Sequence, residues 1–421
     1  MTAERIGMQR FAPLSGMPHV CGHDSIAQTG GHAVESQYVD AGDGRRIAVS
    51  VFGPEWGVPV AAIGGNPSSR NGPHPTNEWL ETLGVRLYAI DRAGLGDSDF
   101  RPDIPVADNV PDIQAVMKGH YGLGRFGMIA RSGGTPAAEA YAALRGDELS
   151  ALALTCALAP SDALPNWDEG MTQDNQQLYE DAAQSPEDLT AAMRTIAEML
   201  RENPYAHLSH LWKQLAPADY IALMSSCALE GLVALGQAKG AGQTGEGWAA
   251  HAASIRKWQT TDFDISGIQV PTLIWHGTQD PFAPPSHSEW LHQQIERSHH
   301  IEDPNGSHFT ALTFAFNALL FIRNTHIGPR RAELIQSLFT QRLAEIYGPG
   351  VNPPQADSSR GLIRALDTDR RRSLADIAAV PNMTVIRRIV MTPDKIYREV
   401  VREVITAPDQ RVDELSASLV Q

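Results

Sequence analysis

Residues Phe126 to Arg131 form a short strand-type run that passes through Ser132-Gly133-Gly134 directly into an alanine-rich helix beginning Thr135-Pro136-Ala137-Ala138. A strand that turns at once into a helix belongs to a parallel sheet covered by crossover helices, so this junction selects an α/β architecture. It also sets Ser132 at the sharpest point of the chain. A side chain held there needs tiny neighbours two residues away on either side, and Ala130 and Gly134 meet that demand. The helix N-terminus that follows offers backbone N–H groups and a favourable dipole to a developing anion.

The rest of the chain fits the same frame. Asp43-Gly44, between Tyr38-Val39 and Ile47-Ala48-Val49, signals a hairpin, so the sheet opens with antiparallel strands. Val60 to Ile63, Val85 to Ile90, Ala151 to Ala157 and Thr272 to His276 are brief runs of buried type, each followed by a loop or helix. Between about 161 and 262 strand signals stop. There Ser185-Pro186-Glu187-Asp188 reads as a helix cap, with Leu189, Met193, Ile196 and Leu200 on one face. An insertion between two strands of the sheet is placed to cover its C-terminal edge as a lid. The expected organisation is therefore an arm over 1–35, a core over 36–160 and 263–328, a helical lid over 161–262, and an extension over 329–421. No internal repeat or low-complexity tract interrupts it.

Composition narrows the partners. A chain of 421 residues, 42% hydrophobic and 20% charged, has enough apolar residues for a large core and is neither collagen-like nor wholly disordered. Its net charge of −15 argues against a nucleic-acid backbone or an anionic membrane as partner for the whole body and leaves room for a local basic patch. Cys21, Cys156 and Cys227 are few and far apart, which predicts a reducing, cytoplasmic setting without a disulfide framework. The first thirty residues lack the apolar stretch of a secretory leader, and Leu312 to Ile322 is too short for a membrane span and reads as a buried helix. His19, Cys21, His23 and Asp24 lack the second ligand pair of a closed zinc site and read as a solvated arm.

Four motifs occur in the order of a known family. Ile63-Gly64-Gly65-Asn66-Pro67-Ser68-Ser69-Arg70 resembles the loop after the third strand of α/β-hydrolases, usually His-Gly-x-Pro-Gly. Asp91-Arg92-Ala93-Gly94-Leu95-Gly96-Asp97-Ser98 resembles the turn after the next strand, and Ala130 to Gly134 the nucleophile elbow. Pro271 to Asp280, followed by Asn305-Gly306-Ser307-His308, resembles the strand, acid and histidine that complete the family's site. The likeness covers roughly 37 to 325 and leans toward the proline iminopeptidase-like and epoxide hydrolase-like branch.

The resemblance implies an α/β-hydrolase fold, a mostly parallel eight-stranded sheet flanked by helices with a helical lid; the extra C-terminal helical segment does not belong to the family's pattern. It implies Ser132 as nucleophile, His308 as base and Asp280 as its carboxylate, with oxyanion donors from the backbone of Asn66 and Gly133, each donor contributing on the order of 3 kcal/mol. The expected activity is cleavage of an ester, amide or lactone of a small molecule through an acyl-enzyme, esterase- or aminopeptidase-like, with no metal or organic cofactor. A low-turnover ligand sensor and an acyltransferase are the alternatives on the same fold. Two departures bear on the oxyanion loop, Gly64 where the family has histidine and Ser68 where it has glycine. His276 reads as structural, and His299 and His300 fall in a strand away from the loop that carries His308. Trp167, Tyr179, Trp212 and Tyr220 on the lid are candidates either for a pocket or for packing.

The extension carries 14 Lys plus Arg against 12 Asp plus Glu. Pro329 to Tyr347 reads as a helix, Ser373 to Asp376 as a cap, and Thr392-Pro393 as the start of a last helix with Ile396 and Val400 on one face. Leu374 to Ile389 is faintly similar to a helix-turn-helix, but Pro381 and the thin positive balance argue against nucleic acid at 370–390. The segment is expected to dock on the acidic body or to mediate homo-oligomerisation.

Overall fold

The computed structural model describes residues 37–205, 210–224, 227–347 and 393–419. The arm, its His19-Cys21-His23-Asp24 group, and the readings at 370–390 lie outside these residues. Eight strands form one sheet: β1 (Gln37–Asp40), β2 (Arg46–Phe52), β3 (Val58–Ile63), β4 (Val85–Ile90), β5 (Phe126–Arg131), β6 (Leu149–Thr155), β7 (Thr272–Gly277) and β8 (Ser298–Asp303). Their order is β1-β2-β4-β3-β5-β6-β7-β8. β1 and β2 pair antiparallel across the Asp43-Gly44 turn, and β2 also runs antiparallel to β4. β3 with β5, β5 with β6, β6 with β7 and β7 with β8 pair parallel. The register of β5 on β6 sets Arg131 opposite Thr155, and that of β6 on β7 sets Thr155 opposite Trp275. The carboxyl ends of these neighbours therefore share one edge.

β6 is buried along its whole length, as expected of a central strand covered on both faces. It begins and ends two residues before the run read from the sequence. The core under the sheet gathers Ile47, Val49, Phe126, Met128, Leu152 and Ile274, all essentially without exposure. At roughly 2 kcal/mol for each large apolar side chain removed from water, this cluster drives the sheet's assembly.

The helices before β7 are α1 (Asn77–Leu83), α2 (Asn109–Gln114), α3 (Thr135–Arg145), α4 (Gln173–Gln184), α5 (Pro186–Glu202), α6 (Pro217–Met224), α7 (Cys227–Gly240) and α8 (Glu246–Lys257). Five of these, α4 to α8, occupy the insertion between β6 and β7. α5 buries Leu189, Met193, Ile196 and Leu200 along one stripe. Its expected cap is only half formed. Ser185 is the N-cap and Pro186 the first helical residue, but at φ −145° and ψ 63° the Ser185 hydroxyl makes no cap hydrogen bond. The chain comes straight from the end of α4, and Ser185 N donates to Asp181 O instead.

After β7 come α9 (Pro285–Gln294), α10 (Ala311–Ile327), α11 (Pro329–Tyr347), α12 (Pro393–Thr406) and α13 (Asp409–Ser418). Among the described residues no helix is long and apolar enough to cross a membrane. The chain divides into two compact units. Of the described residues, one unit holds 37–52, 60–74 and those within 87–313, which include the helical insertion. The other holds 53–59, 75–86 and the described residues from 314 onward. The boundary expected at 328 lies at the end of α10, whereas the two units part between Thr313 and Phe314, within that helix, and α1 belongs with the C-terminal helices rather than with the sheet's core.

The physical reason is apolar contact at helical spacing. Leu334, Ile335, Leu338, Phe339 and Leu343 of α11 meet Ile396, Tyr397, Val400, Val401 and Val404 of α12 in one buried cluster with Trp56 at its margin. Gly84, which ends α1 in the left-handed conformation, lies so close to α12 that a Cβ there would come 2.5 Å from Ile405 and 2.7 Å from Val401. Only glycine fits both the turn and the packing.

Candidate active site

β5 reaches the sheet edge in extended conformation at Arg131, and the next residue, Ser132, turns to φ +53°. That left-handed backbone costs a non-glycine residue on the order of 1–3 kcal/mol and persists only where the surroundings enforce it. The loop after β3 supplies the constraint. A Cβ on Gly134 would come 2.2 Å from Gly64 O, and one on Gly65 would come 3.1 Å from Ser132 Cβ. The small residues read from the sequence are therefore required by two loops in close contact, and α3 starts immediately beyond them.

The acid and the imidazole come from the next strands along. β7 ends at Gly277, where a Cβ would strike Gly306 at 2.2 Å, so the loops after β7 and β8 cross in contact. Asp280 and His308, both buried, meet there, with His308 Nδ1 2.8 Å from Asp280 Oδ2. Asp280 Oδ1 accepts from the backbone N–H groups of Phe282 and Ala283 at 2.8 and 3.0 Å. Burial pushes this carboxyl's pKa up, but the adjacent His308 and a hydrogen bond from His276 outweigh it and hold the group well below the usual carboxylate range. Asp280 is thus a fixed anion at neutral pH. With Nδ1–H donated to it, His308 keeps the lone pair of Nε2 for a proton.

Ser132 stands at the same edge, following β5 as His308 follows β8. Among the described residues its hydroxyl makes no hydrogen bond to His308. The structure thus joins Asp280 to His308 and brings Ser132 to their edge of the sheet.

The expected oxyanion residues are also neighbours. Gly133 is the second residue of a tight turn, where a backbone N–H has no acceptor within the helix. Asn66 lies against it, since a Cβ on Gly133 would be 3.0 Å from Asn66 Cβ and Nδ2. Asn66 Nδ2 is buried without a partner, a further donor beside Gly133.

What holds this pair of loops is Arg92, whose role sequence reasoning missed. Its guanidinium donates to Gly133 O at 2.8 Å, Gly65 O at 2.9 Å and Asn66 Oδ1 at 2.5 Å. Burial draws its pKa down to about 9, which leaves it cationic at neutral pH. His251 of α8 donates from Nε2 to Ala93 O and so presents Nδ1 to Arg92 at 3.4 Å. The loop lacking the family's histidine is therefore braced from the neighbouring turn. Gly64 itself has no room for a side chain, because a Cβ there would meet Ser68 Cβ and Oγ at 2.9 Å.

Asp219 of α6 is the second residue missed. Fully buried, it accepts from Ser307 Oγ at 2.7 Å, Phe309 N at 2.7 Å and Thr310 N at 3.1 Å, which fixes the backbone on both sides of His308. In the sequence it reads as an ordinary acid in the first turn of a helix, so nothing local marks it.

The remaining candidates have structural work. His276 lies between Ser288 Oγ and Ala283 O, with Nε2 2.6 Å from the latter, and so supports the turn that presents Asp280. His287 bridges Ala159 N and Trp167 O, and burial lowers its pKa to about 4. His299 and His300 lie in β8. Trp167 packs edge-on against Tyr179, and Trp212 against Tyr220. Cys156 lies beneath the pair, its Sγ, an Asp280 oxygen and a His308 nitrogen all within 4.8 Å of one another. Burial pushes this thiol's pKa well up and the other two groups are bonded to each other, so the trio is poorly suited to a metal.

A family model described as alpha/beta hydrolase fold matches residues 58–315. Among solved structures, the enol-lactonase from Burkholderia xenovorans LB400 is similar at 17% identity and TM-score 0.50, over 69% of this chain and 99% of that one. A hydrolase from Pseudomonas aeruginosa PA01 is similar at 17% identity and TM-score 0.49, over 70% of this chain and 100% of that one. A bromoperoxidase from Bacillus anthracis follows at 19% identity and TM-score 0.49, over 68% and 96%. No curated protein matches the chain.

Proposed function

The chain belongs to the alpha/beta hydrolase fold family, and on that premise we propose that it cleaves an ester, amide or lactone bond of a small molecule through an acyl-enzyme on Ser132. His308 takes the Ser132 hydroxyl proton on Nε2 as Oγ attacks the carbonyl carbon, and Asp280 steadies the imidazolium through Nδ1–H. The carbonyl oxygen gains its charge beside the N–H groups of Gly133 and Asn66. Collapse of the tetrahedral species returns the proton from His308 to the leaving group. Water, deprotonated by the same imidazole, then releases the acid and regenerates Ser132.

One observation carries this reading: a buried Asp280–His308 pair at 2.8 Å shares its sheet edge with a serine held at φ +53°. The bracing by Arg92 supports an oxyanion hole despite Gly64. The test is labelling by a fluorophosphonate probe. Wild-type protein should be labelled at Ser132 and Ser132→Ala should not be; undiminished labelling of the variant refutes the assignment.

A further inference from the structure

Arg131 immediately precedes Ser132, is half-buried, and has its guanidinium carbon 5.8 Å from the centroid of the Phe309 ring, the residue after His308. Among the described residues its guanidinium makes no hydrogen bond and no ion pair, and the Phe309 ring face is the contact it has. The two acids nearest in charge, Asp219 and Asp280, are already committed. Asp219 spends its oxygens on Ser307, Phe309 and Thr310, and Asp280 on His308, Phe282 and Ala283. They offset part of the cation's field without offering the paired oxygens a guanidinium fits.

A half-buried cation left without a hydrogen-bonded anion is costly, and burial accordingly draws the Arg131 pKa down. A fold that keeps such a group one residue from its nucleophile has a use for it. We propose that Arg131 binds a carboxylate carried by the substrate, so that the substrate class is anionic esters, amides or lactones. This deepens the proposed function and rests on the same site.

The test uses two matched pairs of esters, one with the charge on the acyl side and one with it on the leaving side. These are 4-nitrophenyl glutarate against 4-nitrophenyl pentanoate, and 3-carboxyphenyl butyrate against phenyl butyrate. Binding is measured by calorimetry on Ser132→Ala, with and without Arg131→Gln or Arg131→Lys. In at least one pair the anionic ester should bind ten-fold or more tighter than its neutral partner. Arg131→Gln should abolish that ratio, and Arg131→Lys should keep part of it, since lysine retains the charge but not the fork. Equal binding within both pairs overturns the proposal, as does an equal loss for anionic and neutral esters in Arg131→Gln. Ser132→Ala that still turns over an ester counts against the proposed function instead, and the binding ratio still judges Arg131.

Discussion

The carboxyl edge of the sheet and the helical unit of residues 314–421 are held by different forces. At the sheet edge, polar groups are fixed one hydrogen bond at a time: Arg92 on two loops, Asp219 around His308, Asp280 under the imidazole. In the helical unit, Leu334, Leu338, Val400 and Val404 are fixed chiefly by removal from water, with Arg331 donating to Val404 O and Arg342 pairing with Glu403 at the margin of that cluster. A hydrogen bond specifies direction for a small net gain in stability, whereas buried area gives stability with little direction. Damage to the first region should therefore show in rate, and damage to the second in melting.

Four substitutions test that division, in descending order of effect. Asp280→Asn should lower kcat by roughly 10⁴-fold, because the imidazole loses its tautomer and its counter-charge while the fold persists. Steady-state kinetics beside a thermal melt checks it, and a collapse of the melt with no kinetic loss in the folded fraction would break the division. Asp219→Ala should cost about 10²-fold in kcat, the scale of a histidine displaced by about an ångström. Ile396→Ala, in the helical unit, should cost about 3 kcal/mol in denaturant unfolding and leave kcat unchanged.

The smallest effect concerns Glu139 of α3. It is fully buried, neither carboxyl oxygen has a partner, and burial raises its pKa well above the ordinary value against a weaker pull from Thr135. A raised folded pKa means stability is greatest in acid and falls as pH climbs from the unfolded value through the folded one. Glu139→Gln removes that loss. Its melting advantage should be absent near about pH 4 and grow toward neutrality, with kcat unaltered. An advantage that shrinks with pH would show Glu139 to be charged in the native state.

The elbow was legible because backbone geometry writes itself into residue size: a turn at φ +53° against a neighbouring loop admits only Ala130, Gly133 and Gly134 around Ser132. The strands were legible because burial on both faces leaves apolar runs. Asp219 and Arg92 were not, since each acts on residues far away in the chain and is locally an ordinary acid or an ordinary arginine. The partition of the helices was hidden for the same reason. Nothing in Asn77 to Leu83 states that its partner is the helix starting more than three hundred residues later, and only packing at Gly84 reveals it.

Gly64 and Ser68, two separate oddities when read in line, occupy a single volume. Restoring histidine at 64 alone would drive it into the serine. Restoring glycine at 68 alone would leave a gap. A path from the common pair to this one is open through glycine at both positions and closed through histidine beside serine. Ancestral reconstruction of these lineages should find no stage at which histidine and serine coexist there.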